Sequence, residues 1–282
     1  MFGFGKEKYT MAEPSLRVEV LDGDTFSAGP RLRADGIVVR IGARTILDRV
    51  NISVGPGEVV GVVGPNGSGK STLLRALHGS RDIAAGTVEL DAQPLNTYSR
   101  REIARKIAVV AQGEPMALPL RVGEAVLLGR LSHLSGLASW RPEDRRAAGE
   151  AMAATEIGHL VDQLVTTLSG GERQRLILAR ALTQDTDLFL WDEPTNHLDV
   201  KHAHEGLRLL RDTGLTGIVV LHDLNLAARY CDRLVVLDEG EVVADGSPAS
   251  VCQPALVADV FGVEAAVVEH DGIAQLLFSA QR

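Results

Sequence analysis

Apolar residues fall into short, dense runs along the chain, and polar residues follow several of these runs directly. Val59–Val63 is a run of valines broken by one glycine, which is typical of a strand buried on both faces of a sheet. Leu188–Trp191 and Gly217–Leu221 are similar runs. Because such runs alternate with longer helical patterns, the sequence predicts an α/β protein with a parallel sheet.

Other segments show weaker strand patterns, and glycine or acidic turns separate some of them. The further predicted strands are Ile37–Arg40, Val50–Val54, Thr87–Leu90, Lys106–Gln112, Arg233–Leu237 and Glu241–Ala244. The first two are joined through Gly42, and the last two form a hairpin across Asp238–Gly240.

Between Gly113 and Leu168 the pattern changes from strand-like to helical. Leu, Ala, Arg and Glu dominate this interval, and apolar residues recur at helical spacing in Gly123–Arg130 and Glu143–Ala154. The interval is predicted to be a helical subdomain inserted into the α/β part. The predicted organisation is a loose N-terminal extension at 1–31, a main domain at 32–262 that contains the insertion at 113–168, and a C-terminal tail at 263–282.

Composition narrows the class of protein. Of the 282 residues, 45% are apolar and 23% are charged, which indicates a globular protein and excludes a wholly disordered chain. The formal net charge of -8 argues against sequence-independent DNA binding, which depends on Lys and Arg. Cys231 and Cys252 are too few for a disulfide scaffold and indicate reduced thiols. We expect neither a membrane span nor a signal peptide from this apolar pattern.

The clearest chemical motif, Gly64–Ser71, fits the phosphate-binding pattern G-x-x-x-x-G-K-[ST] and directly follows the predicted strand Val59–Val63. Glycines let backbone N–H groups surround a phosphate, and the N-terminus of the next helix attracts the same anion. Lys70 is expected to reach the β- and γ-phosphates, and the Ser71 hydroxyl to bind Mg²⁺. The nucleotide-binding residues predicted in this loop are Gly64, Pro65, Asn66, Gly67, Ser68, Gly69, Lys70, Ser71 and Thr72.

Two further motifs suit hydrolysis of a nucleotide. Asp192 and Glu193 follow an apolar strand, at the edge of a parallel sheet where ligands bind, so Asp192 is expected near Mg²⁺ and Glu193 near an attacking water. Ser169 and Glu172 have the spacing of a capping box. The two glycines between them leave backbone N–H groups bare, which indicates a second anion site at a helix N-terminus.

The segment Leu168–Arg175 resembles the signature motif of ATP-binding cassette (ABC) proteins, and the other landmarks of that family occur in order. These are the phosphate loop, Gln112, the Asp192–Glu193 pair, the segment Asn196–Asp199 and His222. The resemblance covers about residues 32–262. It implies an α/β fold with a P-loop NTPase (ABC ATPase) core, an inserted α-helical subdomain and a small antiparallel β part.

The resemblance also implies a role for each matching residue. Gln112 would sense Mg²⁺ and the attacking water and couple the site to a membrane partner, and His222 would contact the γ-phosphate and position Glu193. Asp199 would lie at a dimer interface. The residues that would bind the γ-phosphate held by a second copy of the chain are Ser169, Gly170 and Gly171. The implied cofactors are ATP and Mg²⁺, and the implied Mg²⁺ ligands are Ser71, Gln112 and Asp192.

One position departs from the family pattern. ABC proteins usually have an aromatic residue that stacks on adenine just before the turn at Gly42, and this chain has Arg40 and Ile41 there. Recognition of adenine is therefore less well defined by the sequence than recognition of phosphate.

Three segments narrow the resemblance to one group of importers. Val122–His133, Trp140–Asp144 and Leu221–Tyr230 are similar to ATPase subunits of importers for iron–siderophores, haem and cobalamin, although Ser132 replaces the usual proline. The resemblance implies an ATPase that powers uptake of an iron–siderophore or related chelate. Its implied partners are a second copy of itself, transmembrane permease subunits and, indirectly, a substrate-binding protein, at the cytoplasmic side of the membrane and without nucleic acid.

The sequence leaves other functions open. Haem and cobalamin importers use the same ATPase design, and an exporter or a nucleic-acid-associated ABC ATPase is the alternative outside the importers. The interval between Gln112 and Ser169 is too short for the coiled coil of the chromosome-maintenance type and contains no heptads. Exporters are usually fused to membrane helices, which this sequence does not predict.

Overall fold

The computed structural model describes residues 29–111, 119–134, 139–196 and 199–279. The strands, in chain order, are β1 (Leu32–Ile41), β2 (Arg44–Val54), β3 (Val59–Val63), β4 (Ala85–Leu90), β5 (Gln93–Pro94), β6 (Ile107–Val110), β7 (Leu188–Asp192), β8 (Thr216–Val220), β9 (Arg233–Asp238), β10 (Glu241–Gly246), β11 (Glu264–His270) and β12 (Ile273–Ser279). The α-helices are α1 (Lys70–Leu77), α2 (Arg100–Lys106), α3 (Val122–Leu127), α4 (Pro142–Ala154), α5 (Gly170–Thr183), α6 (Val200–Asp212), α7 (Leu224–Tyr230), α8 (Pro248–Val251) and α9 (Pro254–Phe261).

The larger sheet has the order β10-β9-β3-β8-β7-β6, and its strands are parallel except for β10 at one edge. Every residue of β3, β7 and β8 is buried, as expected for strands covered on both faces. The sequence predictions for these strands are confirmed, as is the hairpin of β9 and β10. Because β3, β8 and β7 are neighbouring parallel strands, their carboxyl ends lie side by side at the same end of the sheet.

The smaller sheet is antiparallel, with the order β2-β1-β4-β5. The predicted strands Ile37–Arg40 and Val50–Val54 are too short, because pairing from Leu32 with Val54 to Ile41 with Arg44 extends β1 and β2 well beyond the local apolar runs. The predicted strand Lys106–Gln112 also needs correction: Lys106 ends helix α2, which begins with a capping box.

The inserted segment has a hydrophobic core of its own, in which α3 and α4 pack against α5. Leu176 of α5 belongs to this core, whereas Leu178 belongs to the core beneath the parallel sheet. The predicted helix Gly123–Arg130 is confirmed only in part, because the chain tightens into a 3₁₀ turn at Leu128–His133. There Gly129 lies so close to α5 that a Cβ would come within 2.3 Å of the carbonyl oxygen of Arg180, so long-range packing overrides the helical pattern.

The segment predicted as a C-terminal tail contains the hairpin β11–β12. Asn225 of α7 holds this hairpin: its Nδ2 donates to the carbonyl oxygen of Leu276 (3.1 Å), and its Oδ1 accepts from the backbone nitrogen of Leu276 (2.7 Å). Among the helices that the structure describes, none combines the length and the hydropathy that crossing a membrane requires.

Candidate active site

Three loops meet where β3, β8 and β7 end. Gly64 follows β3, His222 comes two residues after β8, and Asp192 is the last residue of β7. Backbone hydrogen bonds continue the sheet into these loops, since the nitrogen of Leu221 donates to the carbonyl oxygen of Val62 (3.0 Å). The parallel order thus brings the sequence-predicted residues of three distant segments to one place.

The phosphate loop has the backbone that its glycines allow. Gly64 has a φ of 149°, and a Cβ built on it would lie 1.9 Å from the carbonyl oxygen of Leu237, so no other residue fits there. Gly69 has a φ of 106° and is the N-cap of α1, so the loop leads directly into the N-terminus of that helix. The backbone N–H groups at this end can bind an anion.

Lys70 lies inside the loop and is almost fully buried. Its Nζ donates to the carbonyl oxygens of Gly64 (2.8 Å) and Pro65 (2.7 Å). Burial lowers the pKa of Lys70, although the carboxylates of Glu193 and Asp192 oppose this effect. A phosphate group inside the loop would give this buried ammonium a counter-charge.

Asp192 and Ser71 present two oxygen atoms to the same space. The Ser71 hydroxyl donates to Oδ1 of Asp192 at 3.1 Å. Burial raises the pKa of Asp192. The hydrogen bond from Ser71 and the nearby positive charges therefore do not fully offset the hydration that the ionised carboxylate has lost. Hydroxyl and carboxylate oxygens are the ligands that Mg²⁺ prefers, so the donor set fits that ion.

His222 and Asn196 contact the two carboxylate oxygens of Glu193. Its Oε1 lies 2.6 Å from Nε2 of His222, and its Oε2 accepts a hydrogen bond from Nδ2 of Asn196 at 2.8 Å. Glu193 has a φ of 54°, a backbone conformation that is costly for a residue with a side chain and is found at functional sites. A carboxylate fixed in this way can accept a proton from a water molecule.

The signature segment forms the predicted capping box at the start of α5. The Ser169 hydroxyl accepts from the backbone nitrogen of Glu172 (3.3 Å), while the Ser169 nitrogen donates to Oε2 of Glu172 (2.8 Å). The Ser169 nitrogen, and then the Ser169 hydroxyl, which also donates to Oε2 at 2.7 Å, hold the pKa of Glu172 below its ordinary value. Further along α5, Nε2 of Gln174 donates to the carbonyl oxygen of Pro194 (2.7 Å), which connects this helix to the segment after Glu193.

The predicted site residues therefore form two groups. The phosphate loop lies with Asp192, Glu193 and His222, whereas the signature residues lie at the N-terminus of α5, near Asp199 at the N-cap of α6. Gln112 lies outside the described residues. The contacts of Asn196 and Gln174 could not be predicted from the sequence, because nothing in the spacing of these residues indicates which groups they reach. Arg40 and Ile41, the residues in place of the adenine-stacking aromatic, are exposed at the end of β1.

Comparisons with known proteins identify the family of this chain. A family model described as ABC transporter matches residues 47–196. The chain is 44% identical over 249 residues to the hemin import ATP-binding protein HmuV of Gloeobacter violaceus, covering 85% of this chain and 90% of that protein. It is 40% identical over 243 residues to the ferric enterobactin transport ATP-binding protein FepC of Escherichia coli, with 85% and 90% covered.

A solved structure shows the same fold. The dimeric structure of MJ0796, a bacterial ABC transporter cassette, superposes with a TM-score of 0.67 at 30% sequence identity and covers 77% of this chain and 98% of that one. The family match includes the phosphate loop and the Asp192–Glu193 pair. The chain belongs to the ABC transporter family, as an ATPase that uses ATP with Mg²⁺.

Proposed function

We propose that this chain is the ATP-hydrolysing subunit of an importer that takes up an iron–siderophore or haem through a separate permease. The observation that carries the proposal is the similarity to hemin and ferric enterobactin import ATP-binding proteins over 85% of the chain. The nucleotide site supports it, because the groups that bind phosphate and activate water lie together. The domain division proposed with it is a main domain at 32–262 with the helical insertion at 113–168.

In this proposal the loop from Gly64 to Thr72 binds the phosphates of ATP, and Lys70 provides the positive charge. Ser71, Asp192 and Gln112 hold Mg²⁺, which when bound neutralises part of the negative charge on the phosphates. The buried carboxylate of Asp192 and the hydroxyl of Ser71 support this assignment, because their oxygens are 3.1 Å apart and both suit the ion.

Glu193 accepts a proton from the water that attacks the γ-phosphate. Nε2 of His222 and Nδ2 of Asn196 each contact one of its two oxygens, so the side chain has little freedom to turn away from the water. The products are ADP and inorganic phosphate, and the proton leaves through the carboxylate.

The signature residues act on the nucleotide of a second copy of the chain. Gly170 and Gly171 offer backbone N–H groups and Ser169 offers its hydroxyl at the N-terminus of α5, and a phosphate from the partner's nucleotide occupies that end. Asp199 lies at the interface between the copies. ATP then closes the dimer, because it binds the closed state better than the open one. The ATPase dimer works on the cytoplasmic face of the membrane, beneath the permease. A substrate-binding protein delivers the chelate to that permease.

Uptake measurements test the proposal. The gene is deleted in the native organism, and accumulation of radiolabelled ferric siderophore, haem and cobalamin is measured with and without a plasmid copy. We expect uptake of an iron chelate to fall to background, to return with the wild-type copy and to stay low with a Lys70→Ala copy. If only cobalamin uptake is lost, the proposed substrate is wrong and the chain serves a cobalamin importer. If uptake of all three compounds is normal and drug efflux is defective, the importer assignment is wrong.

A further inference from the structure

A histidine outside the known motifs lies against the signature segment. The ring of His202, on the first turn of α6, packs onto Gly171 of α5. A Cβ built on Gly171 would lie 2.1 Å from Cδ2 and 2.5 Å from Nε2 of this ring. The backbone of Gly171 is not in the left-handed region, so the ring, rather than backbone strain, explains why this position has no side chain.

The direction of this contact places Nε2 beside the open end of α5. Gly171 is the second residue of that helix, and the Cα–Cβ bond of a helical residue tilts toward the helix N-terminus. Bond lengths then put Nε2 within about 5 Å of the amide nitrogen of Gly171. A phosphate oxygen bound to that amide is within reach of the imidazole.

Asp199 fixes which ring nitrogen faces the helix. Oδ1 of Asp199 accepts from the backbone nitrogen of His202 (2.9 Å) and lies 2.8 Å from its Nδ1. Because an ionised carboxylate only accepts, Nδ1 carries a hydrogen, and Nε2 is the atom left to face Gly171. The backbone N–H of His202 and then its ring hold the pKa of Asp199 below its ordinary value, so the carboxylate stays ionised and accepts from Nδ1.

We propose that His202 is a further phosphate-binding residue of the signature site: its ring is protonated between the carboxylate of Asp199 and the phosphate, and Nε2 donates to the γ-phosphate that the partner copy holds in its own loop. This inference rests on the ATP-bound dimer of the proposed function. It adds a side-chain donor to the backbone groups at the N-terminus of α5, and it joins that site to Asp199 at the interface.

Two substitutions separate the functions of the two ring nitrogens. In His202→Gln the amide nitrogen takes the place of Nε2, because both atoms are four bonds from Cα. In His202→Asn the amide nitrogen takes the place of Nδ1, so the contact with Asp199 can persist while the reach to the phosphate is lost. His202→Ala removes both contacts.

The test measures ATP-driven dimerisation by sedimentation velocity, with all three substitutions made in a Glu193→Gln chain that retains bound ATP. We expect Asn and Ala to raise the dimer dissociation constant about 100-fold, since a charged hydrogen bond is lost at each of two symmetric sites. We expect Gln to stay within about fivefold of its parent, for it restores the donor. Binding of a fluorescent ATP analogue to the monomer should be equal in all variants.

The dimerisation assay distinguishes a failure of the role proposed for His202 from a failure of the ATP-bound dimer itself. If the Glu193→Gln parent dimerises and the Asn variant dimerises equally well, or the Gln variant is as weak as Ala, the role of His202 is wrong and the dimer stands. If the parent remains monomeric with Mg²⁺ and ATP, the dimer of the proposed function is wrong, and this inference falls with it.

Discussion

Glu193 should be the group on which hydrolysis depends, and Glu193→Gln tests this with little change in shape. The glutamine oxygen can accept from Asn196, and its amide nitrogen can donate to Nε2 of His222 when that ring carries its hydrogen on Nδ1, so the contacts at 2.8 and 2.6 Å can both persist. What is lost is the proton acceptor. General-base catalysis contributes about 10²–10⁴-fold. That range corresponds to about 3–5 kcal/mol in activation free energy at 1.36 kcal/mol per decade.

The assay is steady-state ATPase activity together with equilibrium binding of a fluorescent ATP analogue. We expect kcat to fall by at least about 100-fold with an unchanged binding constant. Glu150→Gln, which removes the same charge from an exposed position of α4, is the matched control and should leave kcat unaltered. Glu193 and His222 act on one proton, so the double variant Glu193→Gln/His222→Ala should be little slower than Glu193→Gln alone. A kcat within about threefold of the parent, or fully additive losses, would refute the reasoning.

Three further substitutions test other parts of the account. Lys70→Ala should raise the dissociation constant for ATP at least about tenfold in a binding titration, because the charged hydrogen bond from the lysine ammonium to the phosphates is lost. The control Lys201→Ala removes an exposed lysine of α6 and should leave this constant unchanged. Asp192→Asn should raise the free energy of unfolding of the nucleotide-free protein at neutral pH. Because burial raises the pKa of Asp192, its ionisation lowers the free energy of unfolding as pH rises above the pKa of the unfolded state, about 3.9. In urea titrations the gain should therefore shrink as pH falls and vanish below about pH 3, where the carboxyl is protonated in both states. A gain that does not depend on pH would contradict this. Asp144→Ala should lower the free energy of unfolding by about 3 kcal/mol in the same urea titrations, because it leaves Arg130 buried without its main partner. The control Glu143→Ala removes an exposed ion pair nearby and should lower the free energy of unfolding by less than about 1 kcal/mol.

Features set by local sequence could be predicted well. The run Val59–Val63 is a fully buried strand because five consecutive apolar or glycine residues leave no polar face. The phosphate loop and the capping box at Ser169 have fixed spacings that local backbone geometry enforces, and the structure shows both. The position of the Asp192–Glu193 pair beside the phosphate loop follows from the parallel direction of the strands, which the sequence also indicates.

Features set by long-range contacts could not be predicted. The length of β1 and β2 depends on their mutual pairing, and the hairpin β11–β12 depends on Asn225, about 50 residues earlier in the chain. The contact of His202 with Gly171 depends on how α6 packs against α5. A histidine at a helix start gives no sequence signal for such a contact.

The central claim is that the phosphate loop of one chain and the signature segment of another close on the same ATP. Asn66 in the loop and Thr167 beside the signature segment are exposed, while the native Cys231 and Cys252 are buried, so single-cysteine variants can be labelled selectively. Asn66→Cys and Thr167→Cys chains, each also carrying Glu193→Gln, are mixed and treated with a short bis-maleimide. The account predicts efficient cross-links between the two different chains with Mg²⁺ and ATP and few without nucleotide. Cross-links that form equally without ATP, or none between chains when ATP is bound, would contradict it.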